Sequence, residues 1–173
     1  MKLHDSKSSI KQQLVTFLIN DELFGIDIRL INEVNPNVDI IPVPLTDSFI
    51  RGHINVRGQV ILVLDLYVIF GKNPRPVTEK SHIVIFKTMQ DLLRTGIYNS
   101  ETDINIFGNK SIAMLVDEIG DVMEIDADQI ETPTQNLKYT YSEFTEGIVK
   151  LKNKLLIIVN PVKVLKYSGE SSL

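Results

Sequence analysis

Short apolar runs bounded by turn-forming residues recur along almost the whole chain, and most have the length of a strand rather than a helix. "QLVTFLIN" followed by "ELFGIDI" predicts a β-hairpin that turns at Asn20 and Asp21. "GHINV" and "VILVLDL" predict a second hairpin, turning through Arg57-Gly58-Gln59. The run from Val60 to Leu64 is unbroken and consists of β-branched residues and Leu, which predicts a strand buried on both faces. "SHIVIF", "SIAMLVDEI", "DVMEI", "EGIVKL" and "KLLIIVN" add further strands. Helical signal is weak away from the two ends. "RLINEV" reads as a helical turn that stops before Pro36. In such a turn Leu30 and Val34 share a core-facing side, and Ile31 lies at its margin. "DIIPVPL" predicts an extended edge segment, because Pro42 and Pro44 have no N–H to donate. "TDSFI" offers Thr46, Asp47 or Ser48 as the cap of a short helical turn. Residues 90–110 are polar and irregular. The class predicted is all-β with short helices.

An internal repeat emerges when the halves are superposed. Phe49 precedes Gly52 by three residues and Asp65 follows that glycine by thirteen; Phe144, Gly147 and Asn160 keep both spacings. "FGIDIRLINEV" resembles "AMLVDEIGDVM", with Asp27 over Asp117. The Asp-to-Gly offsets are 25 and 30 residues, a difference that a loop insertion covers. A duplicated unit of about five strands is the size of a small closed barrel, which hides its edges by curling.

Composition then removes classes of function. Of 173 residues, 43% are hydrophobic and 23% charged, the balance of a soluble globular protein. A net charge of −4 argues against a nucleic-acid binder, and 7% aromatics without Trp argue against a base-stacking platform. The lack of Cys excludes disulfides and thiolate chemistry. The N-terminus has no signal-peptide core and no run reaches membrane-spanning length, so a cytoplasmic location is expected. His4, His53 and His82 lie in unrelated settings without metal-ligand spacing. "DEIGDVMEIDADQIE" lacks the spacing and glycine of a calcium loop and reads as a solvated strand face. The glycines are scattered singly and build no phosphate loop. No enzyme, metal or cofactor is expected. A small barrel that binds a ligand or oligonucleotide is one class that remains.

"FGIDIRLINEV…IIPVP…FIRGHINVRGQVILVLDL" resembles the first half of the CheW adaptor family of bacterial chemotaxis, and "LVDEIGDVMEI…GIVKLKNKLLIIVNPVKVL" is similar to its second half. The most specific element is the ordered set Gly52, Asn55, Arg57, Gly58 and Asp65. The resemblance implies two five-stranded SH3-like β-barrels within one domain over residues 12–165. Its subdomains would span about 12–85 and 86–165, with tails at 1–11 and 166–173. It also implies a non-catalytic scaffold that couples chemoreceptors to the regulatory domain of a CheA-type histidine kinase. By match of position Val15, Ile28 and Ile31 would face the kinase. Glu33, Val34, Asn55 and Arg57 would lie at or near the groove that takes the receptor's cytoplasmic tip. Three departures mark a divergent member: Leu62 replaces a common Pro, Tyr67 stands where Asp-Leu-Arg is common, and Asn160 replaces Asp. An accessory or competing regulator of a non-flagellar pathway is therefore an alternative. Residues 90–110 exceed the family's usual connection.

Structural roles are open beside these. Gly58 is expected to take a positive φ in its hairpin turn, and Gly52, like Gly147, to mark a turn or close backbone approach before a strand. Asp65 is expected to cap the turn that follows it. Arg57 either presents its guanidinium to a partner or braces backbone carbonyls.

Overall fold

The computed structural model describes residues 10–36, 38–97, 110–133 and 142–171. Its strands are β1 (Lys11–Ile19), β2 (Glu22–Asp27), β3 (Ile31–Asn35), β4 (Ile50–Val56), β5 (Gln59–Asp65), β6 (His82–Phe86), β7 (Ile112–Val116), β8 (Glu118–Asp126), β9 (Thr145–Lys150) and β10 (Leu155–Val159). Helices are short: α1 (Leu66–Ile69), α2 (Met89–Arg94) and α3 (Pro161–Ser171), with 3-10 turns at Ile28–Leu30 and Ala127–Gln129. The two predicted hairpins form around left-handed pairs, Asn20 and Asp21 at φ 51° and 63°, and Arg57 and Gly58 at 51° and 82°. Positive φ at both central positions is the turn geometry that matches strand twist.

Two five-stranded sheets result, in the orders β8-β1-β2-β10-β9 and β3-β6-β7-β5-β4. Replacing each of β1 to β5 by its counterpart among β6 to β10 converts one order into the other, so the duplication is present strand for strand. The expected division at residues 85 and 86 does not follow the sheets. β1 and β2 pair with the last three strands of the chain, through β8 and through parallel β10, while β6 and β7 complete the sheet of β3, β4 and β5. A two-stranded hairpin is marginal by itself, and each repeat completes its hairpin with the other repeat's three strands. Periodicity reports which faces of a strand are buried but not which edges it meets.

The exchange also explains the unbroken apolar strands. Along β5, Ile61 and Val63 enter a core inside the second barrel, whereas Leu64 enters a larger core between the sheets. β6 and β7 alternate likewise, with Ile83, Ile85, Ala113 and Leu115 inside and Val84, Phe86, Met114 and Val116 between. In the first barrel Leu14, Leu23, Leu156 and Ile158 point inward, and Phe17, Phe24, Ile157 and Val159 join the shared core. Each such strand buries both faces, which is why polar alternation is missing.

Three local expectations differ. Within "RLINEV" only Arg29 and Leu30 are helical, as the end of the 3-10 turn Ile28–Leu30; the rest belongs to β3, Ile31–Asn35, whose Ile31 and Val34 lie opposite Phe86 and Val84 of β6. Strand pairing overrides the helical spacing there. "TDSFI" forms turns without a helix. Residues 166–171 are not a tail but the end of α3, whose Tyr167 lies 5.9 Å from the Phe49 ring and 5.4 Å from that of Phe144. Within residues 90–110, α2 is capped by a reciprocal pair between Thr88 and Asp91, and 98–109 lie outside the described residues.

Candidate functional site

Both sheets curl until their edges meet. β3 and β4 are the outer strands of the second sheet, yet Ile41, beyond β3, bridges to His53 of β4. In the first sheet Glu131, beyond β8, bridges to Ile148 of β9, and its carboxylate lies 2.8 Å from Lys150. Gly52 and Gly147 sit at these closures, inside strands β4 and β9 and not in turns, and Gly52 makes the close backbone approach expected of it. A Cβ on Gly52, at φ 137°, would stand 2.1 Å from the Ile41 carbonyl oxygen; one on Gly147 would stand 2.4 Å from Ile130 Cγ2. A side chain at Gly52 would strike backbone and one at Gly147 would have to displace Ile130, so the repeat's shared glycine serves barrel closure.

At the seam of the second barrel lies the first cluster of predicted site residues. Arg57, on the β4–β5 turn, reaches Glu33 of β3 with Nη2 3.2 Å from Oε2, and the arginine side chain is 83% exposed. Asn55 Oδ1 accepts from the Gly58 amide at 2.9 Å, which fixes the turn that carries Arg57. The arginine therefore pairs, from its exposed turn, with a partly buried carboxylate instead of bracing carbonyls. Val34 packs on the core between the sheets, on the opposite face of β3 from Glu33. A concavity lined by Glu33, Arg57, Gln59 and Ser111, with Val56 and Ile61 among its apolar walls, adjoins the pair.

The residues expected to face a kinase occupy three settings. Val15 is buried in β1 between Ile26 and Val122. Ile31 is half-buried against the shared core. Ile28 is half-buried and lines a concavity with Ile10, Gln12, Arg29 and Ala127. Beside it Asp27 is held by Arg29, whose Nη2 donates at 2.6 Å and whose amide donates at 2.9 Å, and by Gln12 at 3.0 Å. Burial pushes the Asp27 carboxyl upward, but the Arg29 and Gln12 hydrogen bonds outweigh it and hold the pKa below the ordinary value.

Sequence reasoning missed a second ionic cluster around Asp65. That residue caps α1 as expected, accepting from the Tyr67 amide at 3.0 Å, but it is also fully buried between two arginines. Arg51 Nη1 lies 3.6 Å from Oδ2 and Arg75 Nη1 lies 3.5 Å from Oδ1. Burial raises the Asp65 pKa even against these cations. Arg75 also engages Asp117 and lies 3.9 Å from the Tyr67 ring centroid. The available signal was "NPRPV", an arginine whose backbone two prolines constrain.

Among the described residues no group of three or more His, Cys, Asp or Glu could hold a metal, and no helix is long and apolar enough to cross a membrane. His53 lies in β4, His82 Nδ1 is 2.7 Å from the Lys80 carbonyl, and His4 lies outside the described residues. What the geometry defines is a duplicated two-barrel module with exchanged strands, displaying an ion pair at one seam.

Comparison with known proteins gives that module its family. The CheW-like domain model matches residues 13–168, and the chain belongs to this family. It is 24% identical to the chemotaxis protein CheW of Klebsiella aerogenes, over 91% of this chain and 83% of that one. It is 26% identical to CheW of Treponema pallidum, over 86% and 78%. The crystal structure of the scaffolding protein TtCheW from Thermoanaerobacter tengcongensis superposes with a TM-score of 0.68 at 30% identity, covering 87% of this chain and 90% of that one. The two sheets are thus SH3-like barrels.

Proposed function

We propose that the protein is a non-catalytic coupling adaptor that joins chemoreceptors to a CheA-type histidine kinase in bacterial chemotaxis signalling. The reading is carried by the Glu33–Arg57 pair, displayed at a barrel seam on a fold shared with a chemotaxis scaffold. Glu33 and Arg57, with Asn55 holding the turn and Val34 behind them, form the receptor-facing site. The exposed Arg57 guanidinium can exchange partners with a polar helical hairpin at little cost, because water already screens it. Ile28 is the kinase-facing anchor of choice, since it is half-buried at a concavity, whereas Val15 is buried in β1 and Ile31 packs on the shared core. Two binding faces on two barrels fit an adaptor, whose work is to hold partners in one geometry.

Reconstitution tests the proposal directly. Receptor-bearing vesicles should sediment the kinase strongly when the purified protein is present and weakly without it. Equal sedimentation in both samples would overturn the coupling role.

A further inference from the structure

The two repeats supply an internal comparison for Asp65. Its counterpart Asn160 also caps a helix, with Oδ1 accepting from the Val162 amide at 3.0 Å and the Lys163 amide at 3.3 Å. An amide side chain performs this capping as a carboxylate does, so the charge on Asp65 is not required for α1. The surroundings differ instead. The residue before the shared glycine is Arg51 in one repeat and Glu146 in the other. The sequence offers no arginine at that place in the second repeat, while the carboxylate at 65 faces Arg51 and Arg75. The charge of Asp65 belongs to the arginines.

Arg75 lies in the segment 71–80 between α1 and β6, where it alone is half-buried and its neighbours are exposed. Pro74 fixes φ before it, and Pro76 drives Arg75 itself to an extended conformation, so the guanidinium is presented with little freedom to lose. Nε donates to Asp117 Oδ1 at 2.7 Å, and the Arg75 carbonyl accepts from Arg51 Nη2 at 3.0 Å. Asp117 Oδ2 in turn accepts from the Asn20 amide at 2.7 Å. One side chain therefore gathers the β1–β2 turn of the first barrel, the β7–β8 junction, and the end of β5 in the second. Asp65 Oδ2 is buried without a hydrogen-bond partner among the described residues, so the carboxylate is kept for its charge and not for a saturated hydrogen-bond set.

We propose that residues 71–80 form a strap latched by Arg75, with Asp65 and Asp117 as its two catches, which closes the seam between the barrels at the β1–β2 turn. The latch governs local opening of that seam and leaves the strands of each barrel as they are.

Amide hydrogen exchange on the full chain tests this. Arg75→Gln is expected to speed exchange in 71–80 about tenfold or more while β6 and β7 keep parent rates. Asp65→Asn is expected to loosen the strap in the same way and to leave α1 amides slow, because the amide still caps. Asp117→Asn should add faster exchange at Asn20. Arg57→Gln, which alters an ion pair elsewhere, should change none of these. Parent rates in 71–80 for Arg75→Gln would overturn the latch. Acceleration of α1 as large as that of the strap in Asp65→Asn would reduce Asp65 to a cap. Should Arg75→Gln fail to fold, Arg75→Lys, which keeps the charge and loses the planar fork, is expected to give a smaller acceleration confined to the strap. No acceleration in that variant would again overturn the proposal.

Discussion

Asp65 and Asn160 occupy the same place in the two repeats. The Asp65 amide donates to the Phe49 carbonyl at 2.7 Å, and the Asn160 amide donates to the Phe144 carbonyl at 2.8 Å. Each side chain then caps the helix that follows, one of four residues and one of eleven. The equivalence holds in the backbone and fails in the charge, which gives Asp65 a place in the pH dependence of stability.

Stability should depend on pH through two carboxyls of opposite sense. Burial raises Asp65 above its unfolded pKa, so its contribution is complete below the unfolded value and is lost as pH rises through the folded one. Asp27 is lowered, so its contribution is present above the unfolded value and is lost as pH falls through the folded one. Thermal midpoints measured across pH should show Asp65→Asn flattening the decline above about pH 4, and Asp27→Asn removing loss below it. An unchanged profile in both variants would contradict these assignments.

Gly52 and Gly58 both have positive φ but should respond differently to alanine. A methyl at Gly52 meets the Ile41 carbonyl, whereas nothing lies within 4 Å of one at Gly58. Chemical denaturation should show Gly58→Ala losing about 1 kcal/mol. Gly52→Ala should lose several times more or fail to fold, since the contact that closes the barrel must shift.

Arg57→Glu should cost about 1 kcal/mol of stability, because Arg57 is exposed while its partially covered partner Glu33 would then face a like charge. Receptor-dependent sedimentation of the kinase should nevertheless fall sharply. Combining it with Glu33→Arg restores the pair in reverse; recovery of stability without recovery of coupling would show that the partner reads the sign of each charge.

Ile28 and Ile31 should separate under substitution by Arg. Ile28→Arg is expected to fold and to lose most kinase binding, as truncating an interface anchor costs over about 1 kcal/mol and charge costs more. Ile31 packs on the shared core opposite Phe86, so Ile31→Arg should lower the unfolding midpoint as well. Wild-type kinase binding by Ile28→Arg would move the docking face elsewhere.

What the sequence determined by itself was local. β-Branched runs between turn residues define the strands, Asn20-Asp21 and Arg57-Gly58 define the hairpins, and the Phe-Gly-Asp and Phe-Gly-Asn spacings define the repeat. These follow from the chain's own sterics and hydrogen bonding, which neighbouring residues settle. The resemblance brought Glu33 and Arg57 to notice as separate positions. Only the tertiary structure decided that they pair, because an ion pair across a barrel seam depends on how far a sheet curls. It likewise decided that each barrel takes strands from both repeats, that Ile31–Asn35 is a strand, and that Asp65 meets Arg51 and Arg75. Strand edges carry the same N–H and C=O groups whatever the side chains, so partner choice is made by packing of the whole, and burial of a charge is known only once its surroundings are.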